Sequence, residues 1–249
     1  MADCWASQLG DCDGGISREH VVSDGMFPEQ EVFIQGFPWC MDTPKKIRHE
    51  TFVRKNLCRG HNSALSNIDA QGIATMKILD DAVRLSNVRL ELKPTLWNVK
   101  RFSVGGCDLE RWFLKTLINV AYDEDHPIGS ASKEAGRPSP SLVEIAFGLK
   151  TFEPRAGLYS LGDVGDQIDA KPGIRIHTFT RHNIYVAGAS FYFHGFKFML
   201  FLDDDGAGSR MTVSAADGTN TDIPTFCHHP NEMRFVVNKH LSHVVQFRW

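Results

Sequence analysis

The chain has 249 residues, 42% of them apolar and 23% charged, with a formal net charge of −3. That length suits one large domain or two smaller ones, and the composition is ordinary for a globular protein. No apolar run reaches the roughly 18 residues a membrane span needs. Met1-Ala2-Asp3-Cys4 also lacks the basic and apolar regions of a secretory signal, so a cytoplasmic, non-membrane protein is expected.

Residues 1–43 are turn-rich, with Gly10, Gly14, Gly15, Gly25, Gly36, Pro28 and Pro38. Short strands are predicted at Ile16–Ser23 and Glu31–Gln35. The apolar spacing of Leu65, Ile68, Ile73, Met76, Ile78, Leu79 and Val83 predicts a helix from about Asn62 to Leu85, which Gly72 weakens in its middle. A domain boundary is placed near Pro94. A second helix is predicted from Leu109 to Tyr122, with Asp108 as N-cap and Leu109, Trp112, Phe113, Leu117 and Ala121 on one face. His126–Ser141 reads as a long loop, followed by a short helix near Leu142–Phe147. Strands then dominate: Ile174–Phe179, a hairpin of Asn183–Phe193 and Phe196–Leu202 around His194-Gly195, Met233–Val237 and Val244–Trp249. The expected fold class is α+β, with an N-terminal unit over 1–94 and an α+β domain with an antiparallel sheet over 95–249.

The chemistry-bearing residues lie in the first unit. Six cysteines are few for a disulfide scaffold of this size, and four of them, Cys4, Cys12, Cys40 and Cys58, fall in the first quarter. In a reducing compartment such clustering points to metal. Cys107 and Cys227 stand alone and are expected to be ordinary buried thiols. Cys58-x2-His61 has the spacing of a zinc knuckle, and Cys4 and Cys12 complete a tetrahedral Cys₃His set, with Cys40 as the alternative ligand. Glu19-His20 lies on a short apolar segment after Cys12, and Asn62 follows His61 at a helix start. Lys45, Lys46, Arg48, Arg54, Lys55 and Arg59 crowd one stretch in which Glu50 is the only acidic residue, which suggests a patch for nucleic-acid phosphate.

In this order, Cys4…Cys12…Glu19-His20…Cys58-x2-His61-Asn62 resembles the HNH, or ββα-metal, endonucleases in their zinc-bearing form. The resemblance implies a zinc-stapled ββα-metal unit and metal-dependent hydrolysis of phosphodiester bonds in DNA. It implies that His20 is the general base and that Glu19 and Asn62 hold a divalent cation, Mg²⁺ or Mn²⁺. It assigns a structural Zn²⁺ to Cys4, Cys12, Cys58 and His61. Asn56 is the residue at hand for the family's middle Asn, although that Asn usually lies further upstream of the knuckle. His61 also stands where the family has a cysteine, and a long insertion separates Glu19-His20 from the knuckle.

The chemistry suits these roles: imidazole titrates near neutrality, and hard cations prefer oxygen ligands. The second half is then expected to supply substrate choice, partner binding or dimerisation. The alternative function is a non-catalytic zinc module that binds nucleic acid or protein. Elsewhere, His228-His229 reads as a loop whose rings point apart, His240 and His243 as an unsupported pair, and Asp203-Asp204-Asp205 as an acidic turn.

Overall fold

A computed structural model describes residues 3–27, 31–37, 39–92, 98–122, 124–162, 168, 173–203 and 226–249. The chain is mixed α+β, with antiparallel and mixed sheets. Strand β1 (Ile16–His20) pairs antiparallel with β4 (Val53–Cys58). The insertion between them carries β2 (Glu31–Gln35) and β3 (Lys45–Arg48). Helix α1 (Arg59–Ala64) follows β4 directly, and α2 (Ser66–Glu91) follows α1. Next come β5 (Arg101–Gly105), α3 (Gly106–Ala121), α4 (Pro140–Ala146), β6 (Gly157–Leu161), β7 (Ile174–Arg181), β8 (Tyr185–Phe193) and β9 (Phe196–Phe201). The described chain closes with β10 (Phe226–His228), β11 (Glu232–Asn238) and β12 (Leu241–Arg248).

Seven strands form the largest sheet, in the order β10-β6-β9-β8-β7-β2-β3, and a smaller sheet has the order β11-β12-β5. Two pairings, β2 with β7 and β12 with β5, are parallel, so the sheets are mixed where a purely antiparallel one was expected. β8 and β9 are buried almost throughout, which is why they read as apolar runs. Their turn puts His194 and Gly195 at φ 48° and 83°, both left-handed, as the two-residue hairpin turn between twisted strands demands.

Helix α3 is buried nearly all round. Its Phe113 ring packs on Phe191, Phe193 and Phe198 at centroid distances of 4.8, 5.9 and 5.0 Å. It begins at Gly106 with Gly105 as N-cap, so Asp108 lies in its first turn and is not the cap. Gly72 does not break α2. A Cβ there would lie 2.6 Å from the Trp112 ring, so the missing side chain lets α2 and α3 approach. The cysteines expected to be buried, Cys107 and Cys227, are exposed: one opens α3 and the other lies on β10, at the sheet edge. The boundary near Pro94 falls outside the described residues. No helix of the described chain is long and apolar enough to cross a membrane.

Candidate functional site

The end of β4 and the start of α1 form a tight turn. Cys58 is the N-cap of α1, and its Sγ accepts the backbone N–H of His61 at 3.4 Å. The loop bearing Cys12 is laced to this turn by Arg59 N–H to Gly15 O at 2.9 Å and Gly60 N–H to Asp13 O at 3.2 Å. Cys4 is brought in by Trp5 N–H, which donates to Asn56 O on β4 at 3.0 Å. The outcome is a cluster in which Nδ1 of His61 lies 3.2 Å from Cys58 Sγ, 3.3 Å from Cys4 Sγ and 3.7 Å from Cys12 Sγ. All four ligand atoms fall within 4.8 Å of one another.

A tetrahedral zinc with its usual bond lengths sets sulfur and nitrogen ligands about 3.5 Å apart, in the middle of that spread. Cys4, Cys58 and His61 are buried, Cys12 is half-buried, and none of the cysteines is in a disulfide. Burial pushes the Cys4 thiol up to about 11. Burial works the same way at Cys58, but hydrogen bonds from the His61 and Asp13 N–H groups and from the Cys4 and Cys12 side chains together bring that thiol below its ordinary value. The donor set therefore fits a metal such as zinc. Cys40, the alternative ligand, is buried in the core and does not belong to the cluster.

Glu19 and His20 end β1, just past a bulge between Ser17 and Glu19. Glu19 is buried and ion-paired with Lys115 of α3. Lys115 is 2% exposed and also lies 2.6 Å from both carboxylate oxygens of Asp69 on α2. Ser23 donates to Asp69 at 2.5 Å and accepts from Trp112 Nε1 at 2.8 Å. The Asn62 side chain hydrogen-bonds Glu19. Burial raises the Glu19 pKa, and the Lys115 ammonium pulls against that rise. Glu19 and Asn62 thus meet, as the sequence pattern suggests, but in a pocket that already holds a positive charge.

His20 lies with two residues that sequence reasoning missed. Its ring stacks on His49 at a centroid distance of 5.3 Å and an angle of 6°. His49 Nδ1 lies 3.1 Å from Asp24 Oδ1. Burial lowers the His20 pKa, an effect that Asp24 partly offsets and His49 reinforces, which favours the neutral form of the ring. Asn56 is fully buried and does not face this group. Its Nδ2 donates to Asn119 Oδ1 at 2.9 Å, and Asn119 Nδ2 donates to the His20 carbonyl at 3.3 Å. Asn56 is thus linked to the main chain of His20 through Asn119.

Lys45, Lys46 and Arg48 lie on β3, the outer strand of the large sheet, and are exposed, as are Arg54, Lys55 and Arg59. Lys46 pairs with Glu31 at 2.5 Å and Arg48 with Glu50 at 3.7 Å, so part of this charge is answered locally.

In the second half, His228 and His229 do not point apart: their rings stack at 3.9 Å, and His229 stacks on Trp249 at 4.0 Å. His229 Nε2 is 2.6 Å from Glu110. His243 is buried on β12, where its Nδ1 accepts from Lys100 N–H at 3.1 Å. Asp203 accepts from Ser130 at 2.8 Å, while Asp204 and Asp205 lie outside the described residues. No family model matches the chain, and no similar curated protein or solved structure was found.

Proposed function

We propose that this chain is a metal-dependent endonuclease of the HNH type, built on a zinc-stapled ββα-metal unit, in which strand cleavage depends on His20. The observation that supports this best is the spatial closure of the sequence pattern. Strand β1, bearing Glu19-His20, lies antiparallel to β4, and β4 runs into the helix bearing His61 and Asn62 beside the Cys₃His cluster. The free cysteines suit the reducing cytoplasm proposed for it. A divalent cation, when bound, supplies Lewis acidity at the scissile phosphate. The chain contributes a neutral imidazole at His20, a main chain held by Asn119 and Asn56, and exposed cations on β3, β4 and α1 for the flanking phosphates. The second half would supply substrate choice, a protein contact or dimerisation.

The Glu19–Lys115 pair favours one rival reading, a zinc-bearing module that binds DNA or protein without cutting. Plasmid cleavage with and without added divalent metal separates the two. His20→Ala is expected to lower the cleavage rate by about 10² to 10⁴-fold, the usual contribution of a proton-transfer residue, with zinc content and melting temperature unchanged. A wild-type protein that cuts under no metal condition would favour the binding module.

The basic stretch has its own test, the salt dependence of DNA affinity. Each phosphate contact removed should flatten the log–log slope by about 1. Lys45→Glu is expected to have a larger effect than Lys46→Glu, because Lys46 is already paired with Glu31. An unchanged slope in both variants would remove β3 from the interface.

A further inference from the structure

We infer that His20, Asp24 and His49 form a second metal centre, separate from the Cys₃His cluster, that takes a divalent transition ion of the manganese-to-zinc series. Among the described residues, these three and the Cys₃His set are the only groups whose ligand atoms converge this closely, within 4.8 Å. All three sit at one end of the β1–β4 pair. His20 closes β1, Asp24 lies in the turn just beyond, and His49 lies in the short helical turn that leads into β4. Val21 N–H donates to Phe52 O at 3.0 Å and ties the two turns together, so the ligands are carried on a braced frame.

The distances suit an ion. Two cis ligands on a metal with bonds of about 2.1 Å lie about 3.0 Å apart, and His49 Nδ1 lies 3.1 Å from Asp24 Oδ1. His49 is 4% exposed, so the fold holds its ring in place with Nδ1 turned toward Asp24. The site is open on one side, because the Asp24 side chain is 75% exposed. Vacant coordination positions facing solvent distinguish a reactive centre from a closed structural one.

Two imidazoles and one carboxylate favour borderline ions such as Co²⁺, Ni²⁺ and Zn²⁺, with the harder Mn²⁺ the weakest of the series, over Mg²⁺ and Ca²⁺, which prefer oxygen. The chemistry also explains why the cation belongs here and not at Glu19. The Glu19 carboxylate already faces the Lys115 ammonium, whereas the partly exposed Asp24 carboxylate pairs with the His49 ring. The inference concerns metal binding and goes beyond the nuclease reading. With an ion bound, His20 would serve as its ligand and not as the proton-transfer residue of the nuclease reading, and the ion would supply Lewis acidity.

The test is cobalt titration of the full chain already carrying one zinc. One further equivalent of Co²⁺ is expected to bind and to give visible bands without thiolate charge transfer, since the cysteines hold the zinc. Asp24→Asn, at an exposed position that leaves the fold alone, should weaken this binding at least ~10-fold, and His49→Ala should weaken it further. No second equivalent in the wild type, or undiminished binding in Asp24→Asn, would overturn the inference. The binding assay contains no DNA, so the two readings fail separately. A wild type that binds cobalt but cuts nothing loses only the nuclease reading. Cleavage supported by Mg²⁺ in a protein without the cobalt site loses only this one.

Discussion

If the Cys₃His cluster holds zinc, stripping that zinc with a strong chelator is expected to abolish the cooperative melting transition of the whole chain, not of its first ninety residues alone. The buried cluster gathers Cys4 and Cys12 from one segment and Cys58 and His61 from another. Without an ion, three thiols and an imidazole with lowered proton affinity lie packed together with little to hold them. Structural zinc contributes about 10–16 kcal/mol of apparent binding free energy in small zinc domains, whereas whole-domain stabilities are about 5–15 kcal/mol. The loss would therefore rival the entire stability. It would spread because Cys4, Trp5 and Cys58 belong to the same continuous core as α3 and the large sheet. The His61 ring also packs edge-on against Phe147, just beyond α4, at 5.4 Å. Thermal melts followed by circular dichroism, with zinc counted in parallel, would check this. Cys58→Ala should reproduce the chelated state. A melt unchanged after complete metal removal would mean that packing alone holds the cluster.

Lys115→Met is expected to destabilise the chain by about 3–5 kcal/mol, the cost of orphaning buried partner charges. For a chain of this size that is roughly 10 °C of melting temperature. Methionine keeps most of the lysine stem's volume, so the change isolates the ammonium. Two carboxylates, Glu19 and Asp69, would then face each other, with Asp69 still held by Ser23, which accepts from Trp112. Adding Glu19→Gln and Asp69→Asn to Lys115→Met should recover much of the loss, because neutral amides remove the repulsion. Urea unfolding of the single and triple variants would measure both effects. A single variant as stable as the wild type would mean that water reaches the pocket and screens it.

How much of this was legible in the sequence depends on how each residue is held. The Cys58–His61 half of the cluster can be found by spacing, because a knuckle is a local object and the turn that aims Cys58 also aims His61, whereas the wider Cys4–Cys12 gap is a weaker signal that left Cys40 as an alternative. The β8–β9 hairpin is legible for a similar reason, since its turn needs two left-handed residues and shows them as His194-Gly195. Helix α2 is legible as a pattern, but the meaning of Gly72 is not. A glycine lowers helix propensity wherever it occurs, and only the position of Trp112 reveals that it serves packing.

The grouping of Asp24 and His49 with His20 escapes sequence reasoning because the insertion between β1 and β4 separates them, and the group exists only once β4 returns beside β1. Lys115 is hidden for a stronger reason. On a buried helix it reads as a polar interruption, and its partners come from two other elements. The exposure of Cys107 and Cys227 reflects position, an opening helical turn and a sheet edge, which composition does not encode.

The pairing of β2 with β7 has a consequence for how the protein is made. Ile34 and Gln35 lie beside Ile174 and Arg175, so the ribosome releases β2 long before its neighbour exists. At about 5–20 residues per second, the wait lasts on the order of ten seconds. During that interval Val32 and Ile34, both fully buried in the finished molecule, have no sheet to join on that side. β3 guards the other side, with Lys45, Lys46 and Arg48 on its outer edge, the kind of charge that discourages one nascent chain from adding to another. If the Cys₃His cluster takes zinc, its early capture would shorten the list of sticky intermediates, and chains made in zinc-starved cells would then be more prone to aggregate before synthesis ends.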